Sequence, residues 1–507
     1  MQSRVWLIAR SVLSNWFATA ATLATGFLLA PFVVHRLGNV AYGVWVLALS
    51  SVNYLTLLDL GMRSSVLRFV SQKHTIQDHE GASEVLSAAL WVRLQISAVV
   101  VVLSCVLAAL FPVLFKIPAA LAKDAREAIL VIGVTTTVSM SVGVMAGVLS
   151  ALNRYDLLSY VSLTQLAIRV TGVVLVLKTG HGIVGIACSE LLAACVGNTV
   201  VVILARKTYP ELRVRLHRPK TEVLRQLWSY SVYAFLITVA IQVVYQTDNL
   251  VVGAFVSTAA VTFYSIGNSL CRYTDQVVGA MTLTFVPAAS SYEAAGNTAS
   301  LRSLYVNGTR ATMALSLPIL ATLMTRGGSF IGLWMGPQYS KVSGTVLLIL
   351  ASGLLFSLQN NPAVAVAYGT GKHKKLAAWA VSEAIANLTL SVLLARRFGI
   401  YGVAVGTLLP SLVVHVVLWP GYISHLVQIS RMEVYRGVWL PVYLATLPYA
   451  AASYAVDRLL PTHSLPVFLL QTLALLPIFL IAIGLMFRDH VKRHIVPRVR
   501  SFFYANA

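Results

Sequence analysis

The chain has 507 residues, of which 58% are hydrophobic and only 11% charged, and its formal net charge is +21. Soluble domains carry about a quarter charged residues, so this composition cannot cover a soluble globule of that length with polar surface. The basic residues are scattered over short loops rather than gathered on one domain or motif, which excludes a nucleic-acid partner and marks them as topology signals and contacts for anionic membrane lipids.

In chain order, apolar runs long enough to cross a bilayer as helices fall at 11–34, 41–62, 86–110, 128–151, 158–177, 183–205, 228–252, 261–286, 309–335, 342–367, 376–395, 400–425, 438–456 and 466–487. They are too long and too continuously apolar for the alternating strands of a barrel, and lipid forces the backbone to satisfy itself internally. The fold class is therefore an all-α polytopic membrane protein of about fourteen transmembrane helices. The first run exceeds a signal-peptide core and leads directly into another span, so it reads as a retained helix. The four cysteines fall inside spans without metal-ligand spacing and read as packing residues.

Consecutive spans place loops on alternate sides. One side collects 25 of the 38 Lys and Arg residues and the other 10, with Arg310 and Arg326 of the run 309–335 counted with its flanking loops and Arg93, Arg169 and Arg272 counted inside spans. The positive-inside rule puts the richer side, and both termini, in the cytoplasm. The longest polar connection, 206–226, is basic and divides the chain at its middle. The predicted organisation is an N-lobe over 1–205, this basic loop, a C-lobe over 227–426, two trailing helices within 427–487 and a basic tail, 488–507. An internal repeat supports two six-helix halves. Gly182-Ile-Val-Gly-Ile-Ala-Cys-Ser-Glu-Leu-Leu192 opens one span, and Gly399-Ile-Tyr-Gly-Val-Ala-Val-Gly-Thr-Leu-Leu409 opens another 217 residues later. Equal, even helix counts make the halves parallel repeats, an arrangement suited to alternating access.

Charge inside a span is costly unless it faces water or a partner. Arg169, with Gln165 one turn earlier and no carboxylate at i±3 or i±4, is expected to be a cavity cation. Arg272, with Asp275 and Gln276 following, is either a second cavity cation or half of an intrahelical pair. Arg93 is a third, and for it, as for Asp59 and Asp248, capping or snorkelling at a membrane face is an equal alternative. Asp59, Glu190, Asp248, Asp275 and Glu383 are candidates for ion coupling, with His415 a weaker one. Polar stripes suggest a hydrated interior: Gln242, Tyr245, Gln246 and Asn249 share one helical face, as do Asn15, Thr19, Thr22 and Gly26, although hydroxyls also join helices. Asn360 lies in Gln359-Asn360-Asn361-Pro362, where proline breaks the hydrogen-bond ladder. The cytoplasmic His74, Asp78, His79 and Glu80 read as a solvated turn rather than a metal site. No HExxH, Walker A or GxSxG pattern occurs, so neither an enzyme nor a resident cofactor is expected, and a secondary transporter or flippase remains.

Leu37-Gly-Asn-Val-Ala-Tyr-Gly-Val-Trp45, Leu57-Leu-Asp-Leu-Gly-Met-Arg63, Arg68-Phe-Val-Ser71, Ala151-Leu-Asn-Arg154 and Tyr264-Ser-Ile-Gly267 resemble the polysaccharide-transporter flippases. These are the O-antigen and exopolysaccharide branch of the multidrug/oligosaccharidyl-lipid/polysaccharide (MOP) exporter superfamily, with its MATE-like two-lobe bundle. The resemblance implies a bacterial inner-membrane protein that flips an undecaprenyl-diphosphate-linked oligosaccharide from the cytoplasmic to the periplasmic leaflet, coupled to a H+ or Na+ gradient and working beside other glycan-assembly proteins. Under it, Arg93, Arg169 and Arg272 become binders of diphosphate or acidic sugars, because guanidinium matches phosphate oxygens. A cation-coupled exporter of small molecules is the alternative within transporters, disfavoured because the first span holds no carboxylate. A membrane-embedded glycan polymerase or ligase is the alternative among enzymes, disfavoured by the short outer loops.

Overall fold

The computed structural model describes residues 2–59, 62–214, 239, 242–244, 246–282, 284–372 and 374–487, and every regular element among them is a helix. In chain order these are α1 (Gln2–Leu55), α2 (Met62–Thr75), α3 (His79–Leu114), α4 (Ala119–Ala151), α5 (Tyr155–Lys178), α6 (Gly182–Thr208) and α7 (246–255). There follow α8 (Thr258–Thr282), α9 (Phe285–Ala294), α10 (Thr298–Met335), α11 (Pro337–Ser357), α12 (Asn361–Gly369), α13 (Lys374–Leu412), α14 (Trp419–Leu426), the single turn α15 (Arg431–Glu433), α16 (Leu440–Leu459) and α17 (Leu465–Met486). Nine helical stretches among the described residues are long and apolar enough to cross a membrane. The expected run 228–252 falls largely outside the described residues, as do most of the basic loop 206–226 and all of the tail 488–507.

Two expected loops are single-residue bends. Runs 11–34 and 41–62 are two arms of α1 joined at Gly38 (φ 77°), and runs 376–395 and 400–425 meet at Gly399 (φ 59°) in α13. Only glycine occupies such positive φ values without steric penalty, so one residue redirects the chain and helical bonding resumes at once. Gly182 (φ 56°) does the same between α5 and α6. The internal repeat thus has a structural basis, since both copies open on a left-handed glycine. The second glycine of each copy then lets two helix arms close, with Gly185 against Val176 and Gly402 against the Leu394 carbonyl, where a side chain would collide.

The chain divides into two compact units, Met1–Thr262 and Phe263–Ala507. In the first, α2 was not foreseen because its sequence is polar overall. It nevertheless buries Met62, Val66 and Val70 on one face, against Leu86 and Ala89 of α3, Val148 of α4 and Val201 of α6. Gly43 of α1 admits the backbone of Thr258, and Gly253 of α7 seats Leu47. α7 therefore packs within the first unit, whereas the sequence reading counts it as the opening of the C-lobe. The second unit centres on Tyr305 and Leu317 of α10, Val366 of α12, Trp419 and Ile423 of α14, and Val438 and Trp439 just before α16.

Within each unit, segments expected on the basic side meet. Arg10 pairs with Asp156 at 3.5 Å, His79 Nδ1 lies 2.7 Å from the Tyr209 hydroxyl, and the Arg213 amide donates to Ser83. In the second unit Lys372 pairs with Glu293 at 3.0 Å, Arg302 with Glu433, and Arg310 lies over the ring of Phe487. Asp78 caps α3 by accepting from the Gly81 amide at 2.8 Å. Lys73 beside it, together with that amide, holds its carboxyl below the usual carboxylate range.

Candidate functional site

Each unit holds ionisable groups inside its apolar helices, and several of them occur in pairs. In the first unit Arg93 of α3 is buried, pairs with Asp59 in the 3-10 turn after α1, and donates to the Met140 carbonyl of α4. A buried charge is tolerated when paired and hydrogen-bonded, and this one ties three elements together. Arg169 of α5 pairs with Glu190 of α6 at 2.8 Å, both side chains remaining partly exposed. The search for intrahelical partners overlooked Glu190 because it sits on the next helix. A candidate cation and a candidate coupling acid are therefore one pair. Gln165 lies across Gly197 of α6.

The stripe on α7 is a seam with α1. Gln242 donates to the Asn53 carbonyl at 3.0 Å, Asn249 to Ser50 Oγ at 3.1 Å, and the Thr247 hydroxyl bonds that of Tyr54. Gln246, Asp248 and Asn249 are buried, so within this unit the stripe serves packing. Tyr245 lies outside the described residues. Asn15 is exposed on α1, and its carbonyl accepts from Thr19.

The second unit contains the densest buried polar cluster. Glu383 of α13 lies 3.8 Å from His415 Nε2, each less than a fifth exposed. His415 sits in a π-helical turn, Val413–Leu418, whose widened ring frees its carbonyl to accept from Asn360 Nδ2 at 2.9 Å. Asn360 closes the 3-10 turn Leu358–Asn360, where Pro362 prevents a continuous helix. One turn beyond Glu383, Asn387 donates to Thr407 at 2.9 Å. Among the described residues, Gln359 Oε1, Asn360 Oδ1, Asn387 Oδ1 and His415 Nδ1 are buried without a hydrogen-bond partner. Interruptions of this kind recur at functional positions in helices. A buried carboxylate beside an imidazole and free amide oxygens suits a proton or a small monovalent cation. Arg272 and Asp275 are half-buried on α8, and Gln276 is exposed.

Sequence reasoning missed Arg326. It lies inside α10 with 1% of its side chain exposed, 3.3 Å from Asp457 of α16, bonded to Gln471 of α17 and 4.2 Å above the Phe468 ring. The available signals were Asp457 and Gln471, polar residues in otherwise apolar trailing helices.

The model of a family described as polysaccharide biosynthesis protein matches residues 36–344. An uncharacterized membrane protein of Bacillus subtilis, EpsK, is 22% identical over 445 residues, covering 86% of this chain and 87% of that protein. The probable low-salt glycan biosynthesis flippase Agl15 of Haloferax volcanii is 24% identical over 221 residues, 43% of this chain and 46% of that one. Among solved structures, the lipid II flippase MurJ in an inward closed conformation superposes with a TM-score of 0.77 at 14% identity, over 95% of this chain and 99% of that one. An inward-facing MATE family multidrug resistance transporter of the MOP superfamily superposes with a TM-score of 0.69 at 16% identity, over 82% and 96%. The fold is thus MATE- and MurJ-like, and the chain belongs to the polysaccharide biosynthesis protein family.

Proposed function

We propose that this protein is a flippase, not an enzyme, that carries an undecaprenyl-diphosphate-linked oligosaccharide from the cytoplasmic to the periplasmic leaflet of the bacterial inner membrane by alternating access. The cargo is an O-antigen or exopolysaccharide repeat unit, and the chain crosses the membrane fourteen times with both termini in the cytoplasm. The observation that carries this reading is family membership across most of the chain, on a fold whose helices hold paired ionisable groups within the membrane. Agl15 and MurJ, named as flippases, support the same class of cargo. Arg169 and Arg272 are the cations we assign to the anionic head, with Arg93 a third.

Transport draws on a proton or sodium gradient through Glu383 and His415, where one carboxylate stands beside one imidazole. Glu190 enters as the partner of Arg169, while Asp59, Asp248 and Asp275 are secondary coupling candidates. The deciding experiment reconstitutes the protein with a fluorescent lipid-linked oligosaccharide and follows its accessibility to a quencher outside the vesicle. Gradient-stimulated flipping that Glu383→Gln abolishes is the expected result. Flipping unchanged after both gradients are dissipated overturns the coupling. No flipping, with gradient-driven efflux of cationic drugs instead, overturns the cargo in favour of a small-molecule exporter.

A further inference from the structure

The arginines Arg93, Arg169, Arg302 and Arg326 each meet a carboxylate. Arg310, a third of the way along α10, meets none among the described residues. Its guanidinium donates to the Gly437 carbonyl at 2.9 Å and lies 4.8 Å from the Phe487 ring, while its Nε is buried with no hydrogen-bond partner among the described residues. Beside it stands Arg436, exposed and, among the described residues, likewise without an ion pair. The two flank a groove of about 530 Å3 whose described lining contains no acid. From the arginines the groove runs over Leu440 and Leu444, one turn apart on α16, and Met486 of α17, all well exposed.

The position of this groove matters as much as its charge. Arg310, Arg436 and Phe487 border three segments that charge counting assigns to the same membrane side. The cationic end therefore lies at the headgroup level, and the apolar walls lead from it along two outward-facing helices. A site that is doubly cationic at one end and aliphatic at the other matches a molecule with a phosphate at the boundary and hydrocarbon below it. A soluble anion would leave the leucine wall unused, and a neutral lipid would leave both guanidinium groups unanswered.

We propose that this groove binds the headgroup phosphate of an anionic glycerophospholipid, with an acyl chain lying along Leu440 and Leu444. Its placement in the cytoplasmic leaflet rests on the topology proposed above, whereas the binding itself does not depend on what the protein transports. The guanidinium groups of Arg310 and Arg436 supply the donors, and the Phe487 ring packs against that of Arg310.

The test is native mass spectrometry of the detergent-purified full chain titrated with phosphatidylglycerol and, in parallel, phosphatidylcholine of the same acyl chains. Phosphatidylglycerol is expected to be retained preferentially. Arg436→Gln, an exposed change that leaves packing intact, is expected to weaken retention about tenfold, the loss of one charge-assisted hydrogen bond. Arg436→Lys should keep part of the affinity, and Arg302→Gln, which alters a pair outside the groove, should keep all of it. Equal retention of the two lipids overturns the proposal, as does unchanged affinity in Arg436→Gln. Displacement of phosphatidylglycerol by an equal concentration of undecaprenyl diphosphate also overturns it, making the groove a waiting place for the carrier. Only the last outcome touches the transport reading, which it would support, so the two readings fail separately.

Discussion

Arg326 offers the sharpest energetic test of the fold. Replacing it with methionine keeps the stem volume in α10 but removes the charge, the bond to Gln471 and the stacking on Phe468. Removing one partner of a buried ion pair costs about 3–5 kcal/mol, because the other charge is stranded. Here Asp457 stays 19% exposed and still accepts from Ser329 Oγ at 3.0 Å, so the lower end, about 3 kcal/mol, is expected. Asp457→Asn alone strands Arg326, which has no such exposure and should cost more. In the double variant no charge is stranded, and the residual loss is the cation–π contact, about 1–2 kcal/mol, plus imperfect packing. The two single costs should therefore exceed the double cost by about 4 kcal/mol, above the usual range for interacting residues. Reversible unfolding by steric trapping in bicelles, run on the wild type, both singles and the double, measures each term. Additive costs, or a loss below about 1 kcal/mol for Arg326→Met, would refute the reasoning and leave α10, α16 and α17 held by apolar packing and by the Thr322–Tyr449 and Thr325–Ser453 hydroxyl contacts.

Four further outcomes follow from the same geometry. Gly43→Ala places a methyl group in the Thr258 backbone, which cannot yield as a side chain does, so a loss of about 3 kcal/mol is expected in thermal unfolding. Gly484→Ala meets nothing within 4 Å and should be neutral or slightly stabilising. Arg169→Ala should reach the membrane at normal levels yet export little glycan, Arg169→Lys should keep part of the activity, and the exchange Arg169→Glu with Glu190→Arg should restore folding but not export; full export by the exchanged pair would make it structural. Asp78 titrates below its usual value in the folded protein, so its cap on α3 is fully present above about pH 4 and fades as pH falls through the depressed value. The protection factor of the Gly81 amide, its exchange rate measured against the intrinsic rate at each pH, should accordingly fall only at acid pH, and Asp78→Asn should abolish that dependence; a protection factor that already falls between pH 7 and pH 5 contradicts the assignment.

The helices were legible because lipid makes their signal simple: a long apolar run must be helical. Their ends were less so. Gly38 and Gly399 read as loop centres because sequence marks a turn without saying how many residues it needs. α2 escaped because its buried face is three spaced residues in a polar background, too weak a pattern to separate from a loop. At the candidate site, the residue types were visible but their pairings were not. Arg169 and Glu190 stand 21 positions apart, Arg93 and Asp59 stand 34 apart, and Arg326 finds its partners more than 130 residues away. Local spacing reports neighbours on one helix, whereas these contacts depend on which helices touch. The stripe on α7 shows the converse limit, since periodicity identified the face but not whether water or α1 would meet it.

The one-residue bends at Gly38 and Gly399 also decide where this chain can be handled. A connection that consists of a single left-handed glycine between two helix arms has no slack, so an inserted tag or protease site there would have to unwind a membrane helix to be accommodated. The connection at Pro461–Ser464 is different, since it is non-helical and largely exposed between α16 and α17. Reporter fusions and epitope insertions therefore belong at 461–464, and the two glycine corners should be silent to any antibody or protease.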